Sequence, residues 1–95
     1  MEMQKVAEAL SKMFCMEFGG KSDGRYRISR SKLRKLFGRR RIDVESMTVL
    51  VEELFEVHDL VIFELEDFFA VMEASVMRNW RPVSGSVLRK CQEGE

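Results

Sequence analysis

The chain reads as a small α+β domain. Three observations predict that class: a helical apolar stripe near the N-terminus, a switch of hydrophobic period inside one basic stretch, and a strand-like run after Asp59. At 95 residues it is expected to form one domain over its whole length, with a modest core and no room for two lobes around a deep cleft. Hydrophobic residues make up 45% and charged residues 34%, which is too apolar for a disordered chain. Seven Met and seven Phe suggest a Met-rich core, since flexible thioethers beside rings fill irregular interiors.

From Glu2 to Phe18, the residues Met3, Val6, Leu10, Met13, Phe14 and Phe18 stand at helical spacing, and the first helix is expected to end near Gly19. GGKSDG then reads as loop. Arg25 to Ser29 reads as a short strand with Arg25 and Arg27 on one face and Tyr26 and Ile28 turned inward. From Arg30 the period changes: Leu33, Leu36 and Phe37 line one side of a two-turn helix, capped by Ser29 or Ser31 and ended by Gly38. A third helix runs from Asp43, its N-cap, to Asp59. Val44, Met47, Leu50, Val51, Leu54 and Phe55 form its expected buried stripe, with carboxylates on the exposed face.

The run LVIFELEDFFAVMEAS supports two readings. As a hairpin, Leu60 to Leu65 and Phe68 to Ala74 pair across a Glu66-Asp67 turn; as strand plus helix, Asp67 caps a helix lined by Phe68, Val71, Met72 and Val76. Glu-Asp lacks the glycine that two-residue turns favour, whereas FFAVM is rich in strand formers beside a strand needing a partner, and the hairpin is preferred. Pro82 makes Arg81 extended, Trp80 is expected to close a core edge, and Ser84 to Cys91 reads as a last helix before a frayed Gln92–Glu95.

With the hairpin, the order helix, strand, helix, helix, strand, strand resembles the winged helix-turn-helix superfamily from Met3 to about Ala74. The resemblance implies a winged-helix-like domain with a C-terminal segment added, the third helix in a DNA major groove and the hairpin as wing. Here the third helix has carboxylates and no Lys or Arg, and the wing tip is Glu66-Asp67, so that docking mode is not expected.

Charge is strongly segregated under a formal net charge of zero: residues 21–41 hold ten basic and one acidic side chain, residues 42–73 ten acidic and no basic ones. Nucleic acid, DNA ahead of RNA, would therefore be met by Arg25, Arg27, Arg30, Lys32, Arg34, Lys35, Arg39, Arg40 and Arg41, whose forks and ammonium groups suit phosphate oxygens. The bland reading of this cluster is a solvated face, or one paired internally with the acidic third helix.

The alternative function puts Glu45, Glu52, Glu53, Glu56, Asp59, Glu66 and Asp67 against the basic groove of a nucleic-acid-binding protein. That would make a small regulatory or inhibitory factor of the phage- or plasmid-type accessory kind. A bipolar chain can also form a homodimer.

No catalytic constellation assembles, and a non-enzymatic binding role is expected without cofactor, metal, membrane or small-molecule substrate. GGKS lacks the first glycine of a phosphate-binding loop, because Cys15 stands there. His58 suits a helix C-terminus, and one His with two distant Cys has no metal-ligand spacing. Cys15 and Cys91 read as free structural thiols in a reducing cytoplasm, and the charged MEMQKVAEALSK start is not that of a signal peptide.

Overall fold

A computed structural model of the chain describes residues 2–21 and 23–93; Ser22 of the GGKS loop and the Gly94-Glu95 end of the tail lie outside them. Among the described residues the fold is α+β, with one three-stranded antiparallel sheet and five helices. Helix α1 (Met3–Phe14), strand β1 (Tyr26–Ser29), helices α2 (Arg30–Phe37) and α3 (Val44–His58), then strands β2 (Leu60–Glu64) and β3 (Phe68–Glu73) follow the order the sequence predicts. A short α4 (Ala74–Arg78), which the sequence reading did not expect, and α5 (Gly85–Glu93) complete it.

The hairpin forms, and β3 is the central strand of the order β1-β3-β2. Its register pairs Ile28 with Phe69 and Ile62 with Val71, so alternation puts these side chains on one face. There they meet Val6, Ala7 and Leu10 of α1, Leu33 and Phe37 of α2, and Leu50 and Leu54 of α3 in one core. The half-buried Tyr26 is tied to α1, donating its hydroxyl to the Leu10 carbonyl at 2.6 Å, and burial raises its pKa, so the donor proton is retained.

Helix ends follow local chemistry. The Ser29 hydroxyl accepts from the Lys32 N–H, and Gly38 ends α2 in the left-handed region at φ 71°. Asp43 caps α3 by accepting from the Ser46 N–H at 2.9 Å, and Arg39 donates to both Asp43 and the Ser46 hydroxyl. The Ser46 hydrogen bonds, then the Arg39 charge, hold the Asp43 carboxyl below its ordinary range. A depressed folded-state pKa contributes stability above the unfolded value that is lost as pH falls through the folded one. Asp43→Asn, which keeps a cap acceptor but no charge, is expected to melt lower than the parent at neutral pH. The gap should close in melts taken between about pH 5 and pH 2; a gap independent of pH would remove the carboxylate's role.

Several expectations are corrected. Helix α1 stops at Phe14, not near Gly19, because Phe18 and Lys21 pair across Gly19-Gly20, both at positive φ as a two-residue type I′ turn needs. The core is not Met-rich: of the described methionines only Met3 is buried, and Met16 is exposed, since Leu, Phe and Val fill the layer between helices and sheet. Trp80 closes no core edge and is 60% exposed, because the chain after α4 leaves the body. In α3, Val44, Val51 and Phe55 are exposed, because α1 and β2 cover only the arc of Leu50, Leu54 and Met47. Helix α5 runs on through Gln92 to Glu93, with Ser84 accepting from the Val87 N–H, so its ordered end passes the expected fraying point.

Candidate nucleic-acid interface

The nine cations between Arg25 and Arg41 divide into two sets. Three are used inside the fold. Arg25 bonds Glu73 of β3 at 2.6 Å, Arg39 bonds Asp43, and Arg30 grips the β2–β3 hairpin turn. The Arg30 fork donates to Glu64 Oε2 at 2.8 Å, the Leu65 carbonyl at 2.7 Å and the Glu66 carbonyl at 3.2 Å, and its guanidinium lies 5.0 Å from the Phe69 ring centroid. This answers the missing glycine: neither Glu66 nor Asp67 has positive φ, and a distant arginine holds the turn from the side.

The other six, Arg27, Lys32, Arg34, Lys35, Arg40 and Arg41, have no carboxylate within ion-pair distance among the described residues. Arg27 lies over the Phe68 ring at 5.3 Å and remains exposed. Because successive residues of α2 turn by about 100°, its cations flank two concavities. Arg34 joins Arg30, Arg40 and Arg41 around a site of 430 Å³ at the start of α3, beside Ile42, Asp43 and Val44. Lys32 and Lys35, with Arg27, rim a groove of 560 Å³ floored by Met13, Met16, Phe18, Tyr26 and Leu36. The first can take phosphate oxygens on several forks at once; the second combines a basic rim with an apolar and aromatic floor.

Internal pairing of the basic run reaches the hairpin carboxylates and the cap Asp43, and not the Glu45, Glu52, Glu53 and Glu56 face of α3. Those four carboxylates, with the Glu66 and Asp67 side chains, have no ion-pair partner among the described residues, whereas Asp59 holds Arg78 bidentately at 2.7 and 3.2 Å. Glu73 is held below the ordinary carboxylate range by its own backbone N–H and by Arg25.

No family model matches this chain, nor does any curated protein or solved structure. Its own geometry therefore carries the functional reading. Among the described residues, no group of three His, Cys, Asp or Glu is placed to hold a metal ion, and no helix is long and apolar enough to cross a membrane. Both thiols are free and exposed, which corrects the reading of them as structural; Cys15 stands at the C-cap of α1, outside the core.

Two features escaped the sequence reading. Phe18 lines the basic-rimmed groove edge-on to Tyr26, with ring centroids 5.6 Å apart, because the Gly19-Gly20 turn folds it back. The two adjacent glycines were the available signal. The exposed Val44, Val51 and Phe55 stripe was signalled by the width of the apolar arc of α3, which exceeds what α1 and β2 cover.

Proposed function

We propose that this protein is a non-enzymatic nucleic-acid-binding domain that grips phosphates through α2 and the Arg40 and Arg41 that follow it. The observation that carries the reading is the concave site ringed by Arg34, Arg40 and Arg41, whose charges are not consumed inside the fold. The element order supports a winged-helix domain, but one docking on its second helix and following loop. Val44, Glu45, Val51, Glu52 and Phe55 on the open side of α3 would set carboxylates and apolar groups against phosphates in the usual groove docking. Arginine forks on backbone oxygens read shape and charge more than sequence, so duplex DNA of any sequence is the first ligand to try, with RNA second. Two free exposed thiols support a reducing, cytoplasmic setting.

The test is fluorescence anisotropy of a labelled duplex DNA and a labelled RNA titrated with protein at several salt concentrations. Binding is expected at low salt, with log K falling by about 0.9 per log unit of salt for each phosphate contacted on a duplex. No binding of either polymer at low salt would end the proposal.

A second reading, a regulatory factor that binds a basic protein, is favoured by the α3 stripe of Val44, Val51 and Phe55 bordered by Glu45, Glu52 and Glu56. Apolar contact edged with charge is how protein interfaces are built.

A further inference from the structure

The chain after α4 leaves the body. Arg78 is anchored on α3, bidentate to Asp59 and with its guanidinium 5.6 Å from the Phe55 ring centroid. Beyond it every described residue from Asn79 to Glu93 is exposed, and α5 buries none. The radius of gyration is 16.4 Å, against about 12 Å for a compact chain of this length. Yet the arm is not built for water: Trp80 and Val83 are exposed, and Val87, Leu88 and Cys91 share one face of α5. Lys90 borders that face beside Val87, whereas Arg89 stands on the far side of the helix.

The body carries the complementary surface. Val44, which is 82% exposed, Thr48, Val51 and Phe55 form a stripe along α3, and a parallel row of Glu45, Glu52 and Glu56 borders it. Between this stripe and the wing lies an open groove of 370 Å³, with Val44, Met47 and Val51 inside and Glu52 and Glu64 on its rims. One chain thus presents an apolar helix edged by Lys90 and an apolar groove edged with carboxylates, and neither is filled among the described residues.

We infer that α5 of one copy docks in the α3 groove of a second copy, and reciprocally, giving a two-fold, arm-exchanged dimer. Val87 and Leu88 enter between Val44 and Val51, while Lys90 meets the row of Glu45, Glu52 and Glu56. The chain's own arm leaves the groove open: beyond the Arg78 anchor at the C-terminal end of α3, every described residue of the arm is exposed. Exchange between two copies fills both grooves with one self-complementary contact.

The test is the mass of the full chain in solution by sedimentation, with two charge-reversed variants. The parent is expected to dimerise. Lys90→Glu, and separately Glu45→Lys with Glu52→Lys, should each weaken dimerisation about tenfold or more, the scale of about 1.4 kcal/mol of lost ionic contact. Mixing the two variants should restore a dimer, because each arm then meets a groove of opposite sign. Melting temperatures show that both variants fold. A parent that stays monomeric at all concentrations overturns the inference, as does a monomer whose arm resists proteolysis, the sign of docking in cis. Variants that stay monomeric on mixing overturn it too, including the case in which α3 serves a foreign basic protein. Duplex binding is scored separately, so failure here leaves the phosphate-gripping proposal standing.

Discussion

Replacing Arg34, Arg40 and Arg41 together by glutamate is expected to abolish duplex binding at every salt concentration tested while leaving the melting temperature nearly unchanged. Each replacement changes the charge by −2, taking the chain from a formal net charge of zero to −6 and turning the concave site from attractive to repulsive. The alanine triple variant gives the finer reading: three lost phosphate contacts should reduce the salt slope by about 3. Stability is spared because none of the three is within ion-pair distance of a carboxylate among the described residues, and such surface changes are usually worth within about 0.5 kcal/mol. Arg30→Ala provides the contrast. It removes two donors to the hairpin-turn carbonyls, one to Glu64 and a cation from the Phe69 ring, so it should lower the melting temperature and change the salt slope by at most about 1. A triple alanine variant with the parental slope would show that these arginines do not contact phosphate.

What the sequence disclosed and what it withheld follow from the range of the interactions. Ser29, Gly38 and Asp43 were readable as helix ends because caps are satisfied within three or four residues. The hairpin was preferred on strand propensity against a turn that looked wrong, and the turn forms because Arg30, 34 to 36 residues away, donates to its carbonyls and to Glu64. Local turn chemistry carries no trace of such a contact. For the same reason the basic cluster was visible as a cluster but not its division: Arg25 finds Glu73 at a separation of 48 residues. Helix α3 shows a different limit. Periodicity tells which residues share a face, not how wide an arc the neighbours cover, and Val44, Val51 and Phe55 fell on the uncovered half. Phe18 was misassigned because it stands at helical spacing by coincidence, four residues after the true end of α1. Trp80 was given to the core on residue type, although every described residue of its segment, from Asn79 to Glu93, is exposed.

The hairpin register sets the second large effect. Phe69 lies on the core face of the central strand, 1% exposed and paired with Ile28, and truncating such a ring to alanine costs about 3–5 kcal/mol. A domain of this size has about 5–15 kcal/mol in all. Phe69→Ala should therefore lower the melting temperature by more than about 12 °C, at about 4–8 °C per kcal/mol, or leave the chain unfolded. Phe63 makes the matched control. It sits in the same hairpin and pairs with Ala70, so alternation turns it to the opposite face, where it is 40% exposed. Phe63→Ala should cost about 1 kcal/mol or less. Because a slip of one residue exchanges the two faces of a strand, the pair of variants reads the register directly. Equal losses would mean that the register of the sheet is wrong, and with it the position of the hairpin turn that Arg30 holds. The ring removed is also the one on which the Arg30 guanidinium rests at 5.0 Å. Phe69→Leu, which keeps bulk but no aromatic face, should fall between the two and release the turn before the core, seen as faster amide exchange at Leu65 than at Val71.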